Sequence, residues 1–356
     1  MPTQVEDTYA DIHTFSNLYA AYRKAAKGKR GRGPAAHFEF QLEDHLIQLQ
    51  DDLAARRYRP GAYVNFVIHE PKRRLISAAP FRDRVLHHAL CNVLEPAFEA
   101  SFIHHSYANR VGKGTHAALD QAQRWMGEYN YVLQCDLRQF FPSIDHAILC
   151  QILERRIQDG GIRRLIRLIL RSGIGVLDEE YEMVYFEGDD LFAAKRPRGL
   201  PIGNLTSQFW ANCYLNEFDH FIGCELGCPA YQRFVDDFLL FGNDKAQLWQ
   251  WRKAIIERLA HLRLTLHMSK ALVRPVTEGI RYLGFVLYPD HRLLLRRKGI
   301  NYWRKLSHLM AQHWQQEISL GVVDASLQGW INHVRYGDTW GLRRTLMRDK
   351  IGRVLI

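Results

Sequence analysis

Two neighbouring aspartates inside an apolar stretch constrain this chain more than any other feature. Phe234 to Phe241 reads FVDDFLLF, with Asp236 and Asp237 set between large apolar residues. Such a pattern predicts two short strands meeting at the acidic pair. Adjacent carboxylates held against apolar strands repel each other and lose hydration, which costs stability unless a cation neutralises them. The competing reading is an acidic hairpin turn open to water.

A third carboxylate decides between these readings if the fold brings it close. Tyr131 to Asp136, YVLQCD, predicts a short strand that ends in Asp136 and places it at a sheet end. By itself an aspartate there is usually a turn or a cap. Phe140 and Phe141 follow, and Asp145 reads as the N-cap of a helix from His146. The stretch RGLPIGNLTSQFWANCYLNEFD, Arg198 to Asp219, predicts a backbone-lined loop (Gly199, Pro201, Gly203) running into a helix opened by Asn204, Thr206 and Ser207. Gly203 lets main chain approach a flat ligand, and a helix N-terminus favours anions. An ordinary capped helix is the plainer alternative.

Around these stretches the spacing predicts further elements. Phe38, Leu42, Leu46, Leu49 and Leu53 recur at helical spacing, so Phe38 to Arg56 reads as one amphipathic helix. Tyr63 to Ala79 reads as a hairpin turning at Glu70-Pro71-Lys72, with Lys72, Arg73 and Arg74 at its tip. A helix follows from Phe81 to about Phe98, ended near Pro96. Helices are expected over 161–170, 205–221 and 249–262, and Arg281 to Tyr288 reads as one strand. From Arg292 the chain turns strongly basic, with Arg296, Arg297, Lys298, Arg304 and Lys305. There Leu306, Leu309, Met310 and Trp314 form a helical stripe.

Charge points to a partner. Lys and Arg number 48 against 38 Asp and Glu, a formal excess of +10. That excess suits a polyanion, because each neutralised phosphate releases counterions; solubility alone is the plainer reading. The basic run KAAKGKRGR, Lys24 to Arg32, is a phosphate-contacting loop or a solvated connection. No apolar run is long enough to span a bilayer, and the start MPTQVEDTYADIHTF lacks the basic and apolar regions of a signal peptide, so no membrane partner and a cytoplasmic location are expected. The six cysteines are scattered and read as reduced core thiols. His220, Cys224 and Cys228 fall four apart, but Gly227 and Pro229 interrupt the helix a metal site there requires.

Taken together and in this order, the stretches resemble the reverse transcriptase family over almost the whole chain. CDLRQFFPSID is similar to its first carboxylate motif, GLPIGNLTSQ to its loop–helix motif, and FVDD to its double-aspartate motif, which usually has Tyr first. PKRRLISAAPFRDR resembles the fingers hairpin, RYLGF the primer-grip strand, and HMSK, ending in Lys270, the lysine-bearing motif.

The resemblance implies an α+β right-hand polymerase fold: fingers, a palm whose antiparallel sheet packs on helices, and a small helical thumb. Its expected divisions are an N-terminal helical extension (1–60), fingers and palm (61–290) and a basic thumb (291–356). It implies RNA-directed DNA synthesis from a template RNA, a primer and deoxynucleotides, with two Mg2+ ions, Mn2+ substituting. Asp136, Asp236 and Asp237 are the implied catalytic metal ligands, with the Leu137 carbonyl on the nucleotide side. Arg74 with Lys72 clamps the triphosphate, Phe141 lies under the sugar and rejects a 2′-hydroxyl, and Lys270 protonates pyrophosphate. Core packing is the plain alternative for Phe141, and a surface lysine for Lys270. Arg292, Arg296, Arg297 and Lys298 are expected to hold the template–primer duplex.

The loop from Ile202 and Gly203 to Gln208 narrows the type. Many relatives carry Gln at the first of these positions and Pro at the last. Apolar Ile202 with Gln208, the ISAAPFRDRV stretch and the C-terminal SLQGWINHVRYGD resemble the enzymes of diversity-generating retroelements. Those copy a template RNA with errors at adenines and act with a small basic accessory protein. No endonuclease-like or maturase-like extension is seen, which argues against a complete mobile-intron protein. Retron-type, defence-associated and other stand-alone bacterial enzymes are the alternatives. A non-catalytic nucleic-acid-binding relic is disfavoured by the three carboxylates, and an RNA-dependent RNA polymerase by Phe141.

Overall fold

The computed structural model describes residues 4–29, 31, 33–69 and 73–350. Its centre is a four-stranded antiparallel sheet in the order β4-β5-β3-β6, formed by β3 (Tyr131–Asp136), β4 (Tyr231–Phe234), β5 (Asp237–Gly242) and β6 (Leu272–Pro275). Alternation along the strands gives the sheet two packed faces. Leu133, Cys135, Phe238 and Leu240 enter the main core. Val132, Leu239 and Phe241 enter a second core with Ala118, Leu119, Ala122 and Met126 of helix α6 (Thr115–Glu128).

The main core is built by helices. The first four, α1 (Tyr9–Ile12), α2 (Phe15–Ala26), α3 (Gly33–Phe40) and α4 (Leu42–Ala54), gather on α5 (Phe81–Glu99). Leu18, Tyr22, Leu46, Leu49 and Leu53 therefore share one core with Val85, Leu86 and Leu90. The predicted helix from Phe38 is two helices. Gln41 adopts φ −121°, ψ 50° between them, which frees Phe38 to pack on Tyr22 and Phe81 while the leucine stripe faces elsewhere. As expected, α5 starts at Phe81 and ends just beyond Pro96, at Glu99. Phe98, 2% exposed, buries its ring edge-on to Phe209 at 5.5 Å, and that burial outweighs one lost helical hydrogen bond.

Next to α5 stands the predicted hairpin, β1 (Val64–Ile68) with β2 (Arg74–Ala78), paired Val64 to Ala78 through Ile68 to Arg74. Beyond β3 come α7 (Phe140–Ser143), α8 (His146–Glu154), α9 (Gly160–Ser172) and α10 (Leu205–His220). Asp145 caps α8 as expected, accepting from Ala147 N at 2.8 Å and Ile148 N at 3.1 Å. Helix α11 (Lys245–His261) lies between β5 and β6 in the chain.

The predicted single strand at RYLGFVLY is a hairpin, β7 (Ile280–Tyr282) and β8 (Phe285–Leu287), with β9 (Arg292–Leu294) completing a three-stranded sheet. Leu283 and Gly284 both take positive φ, 46° and 95°, as a tight two-residue turn requires; a single glycine inside an apolar run hid it. The basic region then forms α12 (Arg296–Trp314), α13 (Leu320–Val334) and α14 (Trp340–Lys350). Tyr302, Leu306, Met310, Val323, Leu327 and Leu346 make its small core, with Tyr302 stacked on Trp330 at 4.5 Å. Trp314 of the predicted stripe is instead 65% exposed, at the end of α12. Among the described residues no helix is long and apolar enough to cross a membrane.

Candidate active site

Strand register brings the carboxylates together. Asp136, the last residue of β3, lies directly opposite Asp237, the first of β5, and Asp236 occupies the β4–β5 turn. Carboxylate oxygens of all three lie within 4.8 Å of one another, the one such cluster of His, Cys, Asp and Glu among the described residues. Two backbone bonds fix the frame: Leu137 N donates to Asp236 O at 3.1 Å, and His267 N to Asp136 O at 2.8 Å.

Like charges opposite each other destabilise a sheet, and here they are half-buried as well. Burial, then the Asp136 charge, raises Asp236 above the usual carboxylate range. Burial, then Asp236 and Asp136, pushes Asp237 up to about 7. Lys270 forms an ion pair with Asp136, and Arg74 and Lys270 act on Asp236 in the opposite sense to burial. Three oxygen donors, poorly compensated by protein cations, fit hard divalent ions such as magnesium.

The flanking residues form a connected wall. Leu200 N donates to Phe141 O at 2.9 Å and Gly199 N to Ile144 O at 2.8 Å, tying the loop before α10 to the segment after β3. Phe140 is buried whereas Phe141 is only half-buried. On the other side, Ser77 N of β2 donates to Ile202 O at 2.8 Å. Gly203 sits at φ 116°, and a Cβ there would lie 3.0 Å from the Ile76 methyl. Asn204 does not cap α10. Its side chain accepts from Ala79 N at 3.2 Å and donates to Ser77 O and Pro201 O at 3.0 and 3.2 Å. The strand that carries Arg74 and the loop that carries Ile202 are thus one hydrogen-bonded unit. Ile202 and Gln208 are half-buried and Arg74 is exposed, while Arg73 pairs with Glu180 at 2.6 Å. Lys72 lies outside the described residues.

The basic residues expected on the duplex divide. Arg296, Arg297 and Lys298 are exposed and fill the first turn of α12. Lys298 Cε lies 3.6 Å from where a Cβ would stand on Gly284, in the β7–β8 turn. Arg292 is turned inward, bonded to Asp120 at 2.8 Å and Gln123 at 2.7 Å. It clamps β9 to α6, because its alternating place in a paired strand faces the protein. His220 and the two nearby cysteines do not converge: His220 bonds Ser101 O at 2.8 Å, Cys224 is exposed and Cys228 is buried. All six cysteines are free thiols.

A family profile described as "Reverse transcriptase (RNA-dependent DNA polymerase)" matches residues 68–287, more than half of the chain. The chain belongs to the reverse transcriptase family. It is thus placed among RNA-directed DNA polymerases, which are nucleotidyltransferases. Protein YkfC of Escherichia coli K12 is 26% identical over 310 residues, covering 75% of this reverse transcriptase and 76% of YkfC. The group II intron-encoded protein LtrA of Lactococcus lactis subsp. cremoris is 27% identical, covering 80% of this chain but only 56% of LtrA. A solved "Partial Cas6-RT-Cas1--Cas2 complex" aligns over 72% of this chain and 42% of that one, with 20% identity and a TM-score of 0.39. It adds nothing to the geometry above.

Sequence spacing passed over one part of the site. Asp219, Tyr231 and Arg233 form a buried network directly behind the double-aspartate turn. Its only signal is an arginine inside an otherwise packed strand.

Proposed function

We propose that Asp136, Asp236 and Asp237 are the metal-holding catalytic residues of template-directed DNA synthesis, aided by the Leu137 carbonyl. The convergence of the three carboxylates within 4.8 Å carries this reading. Bound divalent ions, Mg2+ with Mn2+ as substitute, supply charge stabilisation for in-line attack of a primer hydroxyl on a nucleoside triphosphate. The protein's own part is placement. Arg74, with Lys72, orients the triphosphate. Phe141 packs under the sugar and leaves no room for a 2′-hydroxyl. Ile202, Gly203 and Gln208 line the nucleotide from the loop. Lys270 delivers a proton from Nζ to the leaving pyrophosphate.

The region from 291 onward is the thumb, 61–290 the fingers and palm, and 1–60 a helical extension that shares the fingers' core. Arg296, Arg297 and Lys298 hold the backbone of the RNA template and its primer or cDNA. Three cations at a helix N-terminus oppose the helix dipole, an arrangement that anionic phosphates relieve.

The finer reading is the error-prone enzyme of a diversity-generating retroelement, working in the cytoplasm with a small basic accessory protein. Ile202 supports it, because an apolar contact discriminates less sharply than a hydrogen-bonding one. The similarity to LtrA keeps an intron-type or other stand-alone bacterial enzyme as the second reading. Sequencing cDNA made by wild type and Ile202→Gln on one RNA template separates them. Fewer misincorporations at adenine in the variant are expected, and an unchanged adenine error rate in an active variant rejects this role. Incorporation of ribonucleotides in preference to deoxynucleotides would reject DNA synthesis itself.

A further inference from the structure

The turn that carries Asp236 is held in an unfavourable conformation. Val235, which precedes Asp236, has φ 59°. A β-branched residue rarely adopts a positive φ, and something in the surrounding structure must hold it there.

That something is a buried ion pair. Arg233 in β4 is 1% exposed and Asp219 near the end of α10 is fully buried. The Arg233 Nε donates to Asp219 Oδ1 at 2.8 Å and Nη2 to Oδ2 at 2.7 Å, a two-pronged pair. Tyr231 Oη donates to the same Oδ1 at 2.6 Å. With the guanidinium so locked, its Nη1 donates forward to the Val235 carbonyl at 3.0 Å and sideways to Asn212 Oδ1 at 3.2 Å. Asn212 is itself anchored, donating to Ala108 O at 3.0 Å. Main chain holds the arginine too: its N–H donates to His105 O at 3.0 Å, and its carbonyl accepts from Tyr107 N at 2.9 Å.

We propose that Arg233, locked by Asp219, is a positioning residue: by gripping the Val235 carbonyl it fixes the peptide that aims the Asp236 carboxylate at the metal site. Rotation of that peptide would reverse the carbonyl and swing Asp236 away from Asp136 and Asp237. The grip works only because the guanidinium is planar and held at two other edges. Lysine, with a single flexible ammonium, cannot satisfy Asp219 and Val235 in the same fixed plane. The inference rests on Asp236 being a metal ligand, so Asp236→Ala accompanies the test.

Arg233→Lys is compared with wild type by direct Mn2+ binding, read from the free-ion paramagnetic resonance signal, and by the Mg2+ dependence of single-turnover primer extension. Outer partners of metal ligands are worth about 10- to 100-fold in affinity or activity. We expect a loss of that size in Mn2+ affinity and a matching rise in the Mg2+ midpoint, with template–primer affinity unchanged. A folded variant with wild-type Mn2+ affinity and Mg2+ midpoint overturns the proposal, including one whose rate falls only with its folded fraction. If Arg233→Lys does not fold, the same readouts are taken on the triple variant Asp219→Leu, Tyr231→Phe, Arg233→Met, which removes the pair without stranding a buried charge. Activity surviving in Asp236→Ala would instead overturn the metal reading beneath it.

Discussion

Replacing one of the three clustered carboxylates should make the metal-free protein more stable. Asp237 carries the perturbation: its carboxyl moves from an ordinary 3.8 up to about 7, through burial and then the charges of Asp236 and Asp136. At roughly 1.36 kcal/mol per tenfold change in proton affinity, carrying that charge at pH 8 costs at most about 4 kcal/mol. Solvent contact at the half-buried site reduces the expected figure to about 1–3 kcal/mol. Asn has nearly the same shape without the charge, so Asp237→Asn recovers this amount. Unfolding entropy of about 2.1 cal/mol/K per residue gives a chain of this length a rise of roughly 1–4 °C in Tm. The sign with pH follows from linkage. Because the folded pKa is raised, the native state holds the extra proton between about pH 4 and 7, and wild-type stability falls as pH rises through that window. The advantage of the variant should therefore be absent near pH 4, grow to pH 7 and level off above. Saturating Mg2+ should shrink or reverse it, since wild type then gains binding energy that the variant lacks. Melting curves in chelator and in Mg2+, at pH 5 and pH 8, measure all of this. A variant melting at or below wild type at pH 8 in chelator would refute the reasoning, because the three charges would then not be opposing the fold.

Two further outcomes follow from the walls of the site. Asn204→Ala strands the buried Ala79 N–H and Ser77 carbonyl, at about 1–3 kcal/mol, and uncouples β2 from the Ile202 loop. Lower thermal stability with a raised KM for deoxynucleotide is expected, and an unchanged KM would show that the coupling does not serve the nucleotide. Alanine at Arg296, Arg297 and Lys298 together should lower the slope of log affinity against log salt for an RNA–DNA duplex by about 2–3, whereas Arg292→Ala should mainly destabilise the β9–α6 junction.

Much of the site was legible because its parts are local in sequence. Asp136 ends a strand of six residues, and Asp236 and Asp237 fall where two strands meet, so the apolar runs marked each carboxylate at a strand end; their shared role came from the family resemblance, and their convergence from the strand register. Gly203 reads as opening the loop to a flat ligand; the fold sets it close against Ile76 of β2. What stayed hidden was long-range or disguised. Asn204 looks like a helix cap, and only the fold shows it reaching β2, 125 residues away in the chain. Arg292 looked like one more cation in a basic run until strand pairing turned it toward Asp120. The break at Gln41 was invisible because tertiary packing, rather than local propensity, sets it, and the Leu283-Gly284 turn because a single glycine marked it inside an apolar run. Arg233 resembled any strand residue, and its partner Asp219 lies on a different element.

The central claim, that three converging aspartates form the polymerising centre, is tested most directly by single-turnover primer extension on an RNA template with deoxynucleotides and Mg2+, comparing wild type with Asp236→Ala. Removing one ligand should abolish extension at every Mg2+ concentration while the melting transition and RNA affinity are retained. Undiminished extension by Asp236→Ala would contradict the account.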